Sequence, residues 1–260
     1  MKIKGIIKRI ICASLALLMI TIMLASCTTG ASTRDYEYKT NIRGAESVLN
    51  STDKKFLVLV NKKHTVGTDY EPDAVGRVDA EYTTGSKTVE LQKDVVVAAE
   101  ALIKEMRACG ITDVSITSGY RTYAYQQTLF NRYFEEEKAE HPSWSDSKIR
   151  DKVLSYSAAP GSSEHQTGLC VDLITGEMEG LWNYGSETPN NPYDKGFAET
   201  AAFEWLKENA HKFGFILRYP ENKTSVTGYS YESWHYRFVG VAAATEMYEK
   251  GITLEEYLGK

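Results

Sequence analysis

Cysteine is scarce in this chain. Of four in 260 residues, Cys12 lies in an amino-terminal apolar run and Cys27 just after it, which leaves only Cys109 and Cys170. Two cysteines cannot staple a disulfide-dense scaffold. Free, buried thiols are the expected state, because unpaired cysteine packs as a small apolar residue. Fixed-period repeats and low-complexity blocks are also missing, which excludes solenoids and biased tails. Positive charge is not in excess either. Without the four basic residues of the first 26, the chain holds 26 basic against 35 acidic side chains, a net of −9. Phosphate backbones favour basic surfaces, so nucleic acid is not an expected partner. A neutral or cationic partner suits the balance better.

The amino terminus has a basic start, Lys2, Lys4, Lys8 and Arg9, and then an apolar run from Ile10 to Ala25. That run falls short of the ~20 residues a membrane-spanning helix needs. It ends in Leu24-Ala25-Ser26-Cys27, small residues before a cysteine, and so resembles the lipobox of bacterial lipoproteins. The resemblance implies a signal over 1–26, with acylated Cys27 as the first mature residue and a membrane partner through its lipid. A short uncleaved anchor or an ordinary secretory signal are the alternatives, and each also places the remainder outside the cytoplasm. From Thr28 to Asn50 the sequence is polar without apolar period, and 27–50 is expected to be a flexible tether. Residues 51–260 are a normal length for one domain with a substantial core.

Within that domain, Phe56–Asn61 reads as a short strand. Leu91, Val95, Ala98, Ala99, Leu102, Ile103 and Met106 recur at helical spacing over Val89–Arg107, with Gly110 as a stop. Val114–Ser118 alternates as a half-buried strand. Helices are expected over Tyr123–Glu140 and Asp146–Ser155, a strand over Gly168–Ile174, a helix over Phe203–Phe213, a strand over Phe215–Tyr219, and one or two helices over Gly240–Tyr257. Helices and strands mix without regular βαβ alternation. The expected fold is therefore α+β, one domain with a small antiparallel sheet flanked by helices.

His64, His141 and His211 lie in surface-like contexts. His165 and His235 keep different company, in Ser163-Glu164-His165-Gln166-Thr167-Gly168-Leu169-Cys170-Val171-Asp172 and in Glu232-Ser233-Trp234-His235. A catalytic zinc needs three ligands from His, Asp or Glu and one position for water. Two histidines and a carboxylate meet that need, and a further carboxylate can deprotonate the water. Gly168 offers a turn that lets His165 and Asp172 converge. On the residues alone, a turn and a Trp-His core contact account for these motifs equally well.

Four motifs in order alter that balance. Ser118-Gly119-Tyr120-Arg121, the Ser-x-His-(x)6-Asp segment, Glu-x-Trp-His and Tyr236-Arg237-Phe238-Val239-Gly240 together resemble the VanY family of metallopeptidases, as do Leu59-Val60-Asn61-Lys62 and Gln126. The resemblance covers about Phe56–Gly251. It implies a zinc site on the sheet, with His165, Asp172 and His235 as ligands and Glu232 as the base. It makes Arg121 the group that stabilises the oxyanion or clasps the substrate carboxylate, with Gln126 and Ser163 hydrogen-bonding the substrate's end. The implied activity is removal of the terminal D-Ala from peptidoglycan stem peptides, D,D cleavage being preferred. L,D cleavage of tetrapeptide stems and a non-catalytic wall-binding lipoprotein are the alternatives. Two positions depart from the family pattern. Ser233 replaces a common proline, and Cys170 stands where alanine is usual. Cys170 reads as a small core residue, although a thiolate that reached the metal would close its open position.

Overall fold

A computed structural model of the chain describes residues 36–85, 87–176 and 196–260. The expected signal, Cys27 and the tether up to residue 35 lie outside them. From Tyr38 onward the chain forms one unit. The tether was expected to reach Asn50, but residues 38–50 already pack on that unit. The buried Glu105 carboxylate accepts from Lys39 N at 2.7 Å, Thr40 N at 2.9 Å and Thr40 Oγ1 at 2.6 Å. A short helical turn, Glu46–Leu49, then buries Leu49. The polar composition conceals these contacts because backbone N–H groups make most of them.

Phe56–Asn61 is not a strand. Lys54–Leu57 is a 3₁₀ turn capped by Asp53, and the carbonyls of Phe56 and Val58 accept from Arg237 Nη2 at 3.0 and 2.8 Å. A guanidinium thus takes the acceptors that a neighbouring strand would need. β1 (Val75–Arg77) and β2 (Glu90–Gln92) form an antiparallel ribbon. This ribbon delays the first long helix, α1, which spans Lys93–Ala108 rather than starting at Val89. α1 buries Val95, Ala98, Ala99, Leu102, Ile103 and Met106, the predicted stripe.

The main sheet contains β3 (Val114–Ser118), β4 (Cys170–Thr175), β5 (Phe215–Leu217) and β6 (His235–Phe238), in the order β3-β4-β6-β5 and antiparallel throughout. Every residue of β4 and β6 is buried, so both central strands are covered on two faces. Between β3 and β4 come α2 (Tyr123–Glu140), whose Thr122 cap accepts from Tyr125 N, and α3 (Asp146–Val153), capped by Ser145. α4 (Ala201–Asn209) continues as a 3₁₀ turn, Ala210–Phe213, into β5. The tail is α5 (Val241–Lys250) and α6 (Leu254–Leu258), the latter opened by a Thr253/Glu256 capping box. The expected α+β class, with a small antiparallel sheet and flanking helices, is the class observed. No helix among the described residues is long and apolar enough to cross a membrane.

Candidate active site

Two central strands and one turn assemble the site. Asp172 and His235 are directly paired across β4 and β6, and the pleat points both side chains to one face. His165 sits in a 3₁₀ turn, Glu164–Thr167, that Gly168 ends at φ +66°. A Cβ at Gly168 would lie 2.8 Å from Gln92 N, so glycine is needed both for the backbone conformation and for the close approach of β2. The turn carries His165 back over Asp172, as the sequence suggests.

The resulting distances are short. His165 Nε2 lies 3.2 Å from Asp172 Oδ2, and His235 Nδ1 lies 2.9 Å from Asp172 Oδ1. The two imidazole centroids are 5.0 Å apart and nearly perpendicular. His165 Nδ1 is 2.6 Å from the Gly119 carbonyl. A ring that donates there keeps Nε2 as a lone-pair donor facing Asp172. Glu232 Oε2 is 3.8 Å from His235 Nδ1; a turn closed by His235 N to Glu232 O at 3.3 Å brings the two side chains together. Arg121 Nη2 donates to Ser118 Oγ at 2.8 Å and to Asp172 Oδ2 at 3.1 Å. All five residues line one cavity of about 870 Å³, together with Gln126, Ser163, Tyr219, Tyr229 and Trp234.

Gln126 is buried. Its Nε2 donates to the Ala158 carbonyl at 2.9 Å, and Oε1 has no partner among the described residues. Ser163 is buried at the cavity wall. Every site residue picked from the sequence within the domain therefore reaches the same cavity. His64 is exposed; His141 and His211 lie elsewhere, stacked on Trp144 and Tyr248.

Sequence reasoning missed the layer behind the floor. The fully buried Glu164 accepts through Oε1 from Arg218 Nε at 2.8 Å and Arg237 Nη1 at 2.6 Å. Arg218 also donates to both oxygens of Glu255, at 2.9 and 2.7 Å. Glu164 Oε2 is left 3.7 Å from His235 Nε2. Burial opposes ionisation of Glu164, but Arg218 and Arg237 outweigh it and hold the carboxyl well below the ordinary range. Tyr219 stacks on the His235 ring at 4.9 Å. The available signal was two arginines inside apolar strand runs, Phe215–Tyr219 and His235–Phe238. Buried cations in a sheet require buried carboxylates.

Cys109 and Cys170 are both free thiols. Cys109 is only half-buried, at the end of α1, whereas Cys170 is fully buried. Cys170 packs as a small core residue, as expected, and also lies beside both imidazoles: one ligand atom each from His165, Cys170 and His235 lies within 4.8 Å of the others. Burial raises the Cys170 thiol, but the two imidazoles bring it down to about 7. Burial and Arg121 oppose protonation of His165, but the Asp172 carboxylate favours a cation at its Nε2, a proton or, in its place, a metal ion. Asp172 is held well below its ordinary value against burial, by His165 first.

These residues fit a divalent transition metal. Imidazole and carboxylate donors converge in a buried pocket, with Asp172 within 3.2 Å of both rings, and the Gly119 carbonyl orients His165 so that Nε2 faces the cluster.

The family model described as VanY, D-alanyl-D-alanine carboxypeptidase, matches residues 88–241, more than half of the chain. A D-alanyl-D-alanine carboxypeptidase of Enterococcus faecalis is 34% identical over 202 residues, which are 78% of this chain and 65% of that protein. The chain therefore spans just under two thirds of that relative's length. Among solved structures, a vancomycin-resistance D,D-pentapeptidase VanY from a VanB-type cassette, in mutant form with Zn(II), superposes with TM-score 0.60 at 32% identity, covering 78% of this chain and 99% of its own. The L,D-carboxypeptidase LdcB superposes with TM-score 0.63 at 32% identity, covering 81% and 89%.

Proposed function

Because this chain belongs to the VanY D-alanyl-D-alanine carboxypeptidase family, we propose that it is a zinc-dependent carboxypeptidase that removes the terminal D-Ala from peptidoglycan stem peptides. One observation carries the reading: His165, Asp172 and His235 meet on one face of the sheet, with Glu232 beside them at the floor of an open cavity. In this reading the first three hold the metal and leave a position for water. Bound zinc polarises the scissile carbonyl and eases deprotonation of the attacking water.

The remaining work falls to the chain's own groups. Glu232, about one-fifth exposed at the cavity wall, takes the proton of the attacking water and hands it to the departing amine. Arg121 has a planar fork of five donors, of which Nη2 reaches Ser118 and Asp172. The fork grips the negative oxygen that develops or the terminal carboxylate of the substrate. Gln126 is oriented by Ala158, so its Oε1 accepts an N–H of the stem peptide, and Ser163 adds a neutral contact. Glu164, backed by Arg218 and Arg237, positions His235 from behind.

The test is hydrolysis by the metal-loaded domain of synthetic pentapeptide ending in D-Ala-D-Ala and of tetrapeptide ending in a single D-Ala. D-Ala release from the pentapeptide is expected, and release from neither would overturn the carboxypeptidase reading. The likeness to LdcB supports a second outcome, preference for the tetrapeptide and its L,D bond. We also infer extracytoplasmic placement, with a lipid on Cys27 tethering the domain to the membrane; the run Leu24-Ala25-Ser26-Cys27 supports it. Metabolic labelling with a fatty acid should mark the protein and fail to mark Cys27→Ala; equal labelling would refute the anchor.

A further inference from the structure

The register that brings Asp172 to His235 also pairs Cys170 with Arg237. Residues two apart on a strand share a face, so Cys170 stands on the metal side of β4, one position along from Asp172. It is fully buried, and His165, Cys170 and His235 each offer a ligand atom within 4.8 Å of the other two. Metal–ligand bonds of about 2.0–2.3 Å in a tetrahedron place ligand atoms about 3.5 Å apart, so the trio need draw in by only about 1 Å. The same face carries Asp172, whose carboxylate lies 3.2 Å from His165 Nε2 and 2.9 Å from His235 Nδ1. An alanine at this position would have no atom that could enter the cluster.

We propose that Cys170 is a fourth protein ligand, closing the metal's open position in the resting protein. This rests on the metal site described above. As the metal–sulfur bond forms, the thiol proton passes to solvent. Asp172 and the thiolate then supply two negative charges, matching those of the divalent ion, and two histidines complete a four-ligand set. A four-ligand set is the pattern of closed zinc sites, whereas hydrolytic sites keep one position for water. The sulfur must therefore leave before the attacking water can enter. A soft ligand in an otherwise nitrogen and oxygen set also shifts preference towards thiophilic ions.

The experiment is cobalt(II) titration of the metal-free full-length protein, followed by absorption spectroscopy, with turnover measured on the zinc-loaded protein in parallel. Wild type is expected to show the near-ultraviolet sulfur-to-cobalt charge-transfer band in addition to visible d–d bands. Cys170→Ala should bind cobalt, keep the visible bands and lose the charge-transfer band, and should turn over faster than wild type at equal zinc content. Wild type with d–d bands but no charge-transfer band would refute sulfur ligation and leave the metal site standing. Absence of any cobalt spectrum would remove both. A charge-transfer band in wild type combined with equal or slower turnover of Cys170→Ala would refute closure at rest. The first readout is made on wild type, so it does not depend on a variant folding; Cys170→Ser serves where the alanine variant does not.

Discussion

Two groups of buried charge lie on neighbouring positions of the same strands, and they are built to opposite ends. Arg218, Arg237, Glu164 and Glu255 form a neutral quartet with contacts of 2.6–2.9 Å and both arginine side chains fully buried. His165, Asp172, His235 and Glu232 stand 2.9–3.8 Å apart and open onto a cavity. The first group balances its charges within itself, and the second leaves ligand atoms pointing at one another. Their side chains meet at Glu164 Oε2 and His235 Nε2, and Arg218 N donates to the His235 carbonyl at 3.2 Å. The difference teaches that the quartet is the rigid backing and the open group is the working face.

The comparison breaks most readily at Glu232. If the front group works as proposed, Glu232→Gln lowers turnover by about 10²–10⁴-fold, the usual contribution of a general base. Its zinc content by metal analysis should equal that of wild type; retained turnover would remove Glu232 from the chemistry. The quartet should answer in stability instead. Arg218→Met leaves Glu164 and Glu255 buried without their shared partner and is expected to cost about 3–5 kcal/mol in urea unfolding. A loss under about 1 kcal/mol, the range of exposed pairs, would show that the quartet is not the backing we describe. At the point of contact, Glu164→Gln should weaken zinc binding by about 10–100-fold, measured by competition with a chelator. Unchanged affinity would detach the two groups from each other.

How much of this was legible in the sequence depends on the distance over which each feature is encoded. The helices were readable because their apolar stripes and caps are local: α2 and α3 begin at the predicted residues, after Thr122 and Ser145. The front group was readable because family motifs carry its residues and Gly168 announces the turn. The quartet was not, since Glu164, Arg218, Arg237 and Glu255 come from a 3₁₀ turn, the end of β5, β6 and α6, and only the tertiary fold unites them. The same non-local pairing defeated the strand expected at Phe56–Asn61, whose carbonyls belong to Arg237. It also hid the docking of residues 38–50 on Glu105. Cys170 is an intermediate case. Its face followed from alternation, but its proximity to two histidines required the fold.

The smallest expected effect lies outside both groups and serves as their control. His211 is stacked on Tyr248 with centroids 4.0 Å apart, and its Nδ1 is buried without a hydrogen-bond partner among the described residues. Burial first, and then the neighbouring Lys212 charge, push its value down to about 4. A depressed value means that the unfolded chain binds the proton more readily than the folded one. The contribution of neutral His211 is therefore complete above pH 6.5 and is lost as pH falls towards 4. Discounted for partial exposure, it amounts to roughly 1 kcal/mol. His211→Asn should flatten the stability–pH curve in that window without altering zinc affinity. Carboxylates held low, such as Glu164, begin to lose their contribution near the ordinary carboxylate range, so the readout is the difference between wild type and His211→Asn: coincident curves above about pH 5 would mean that His211 is free to protonate in the folded chain.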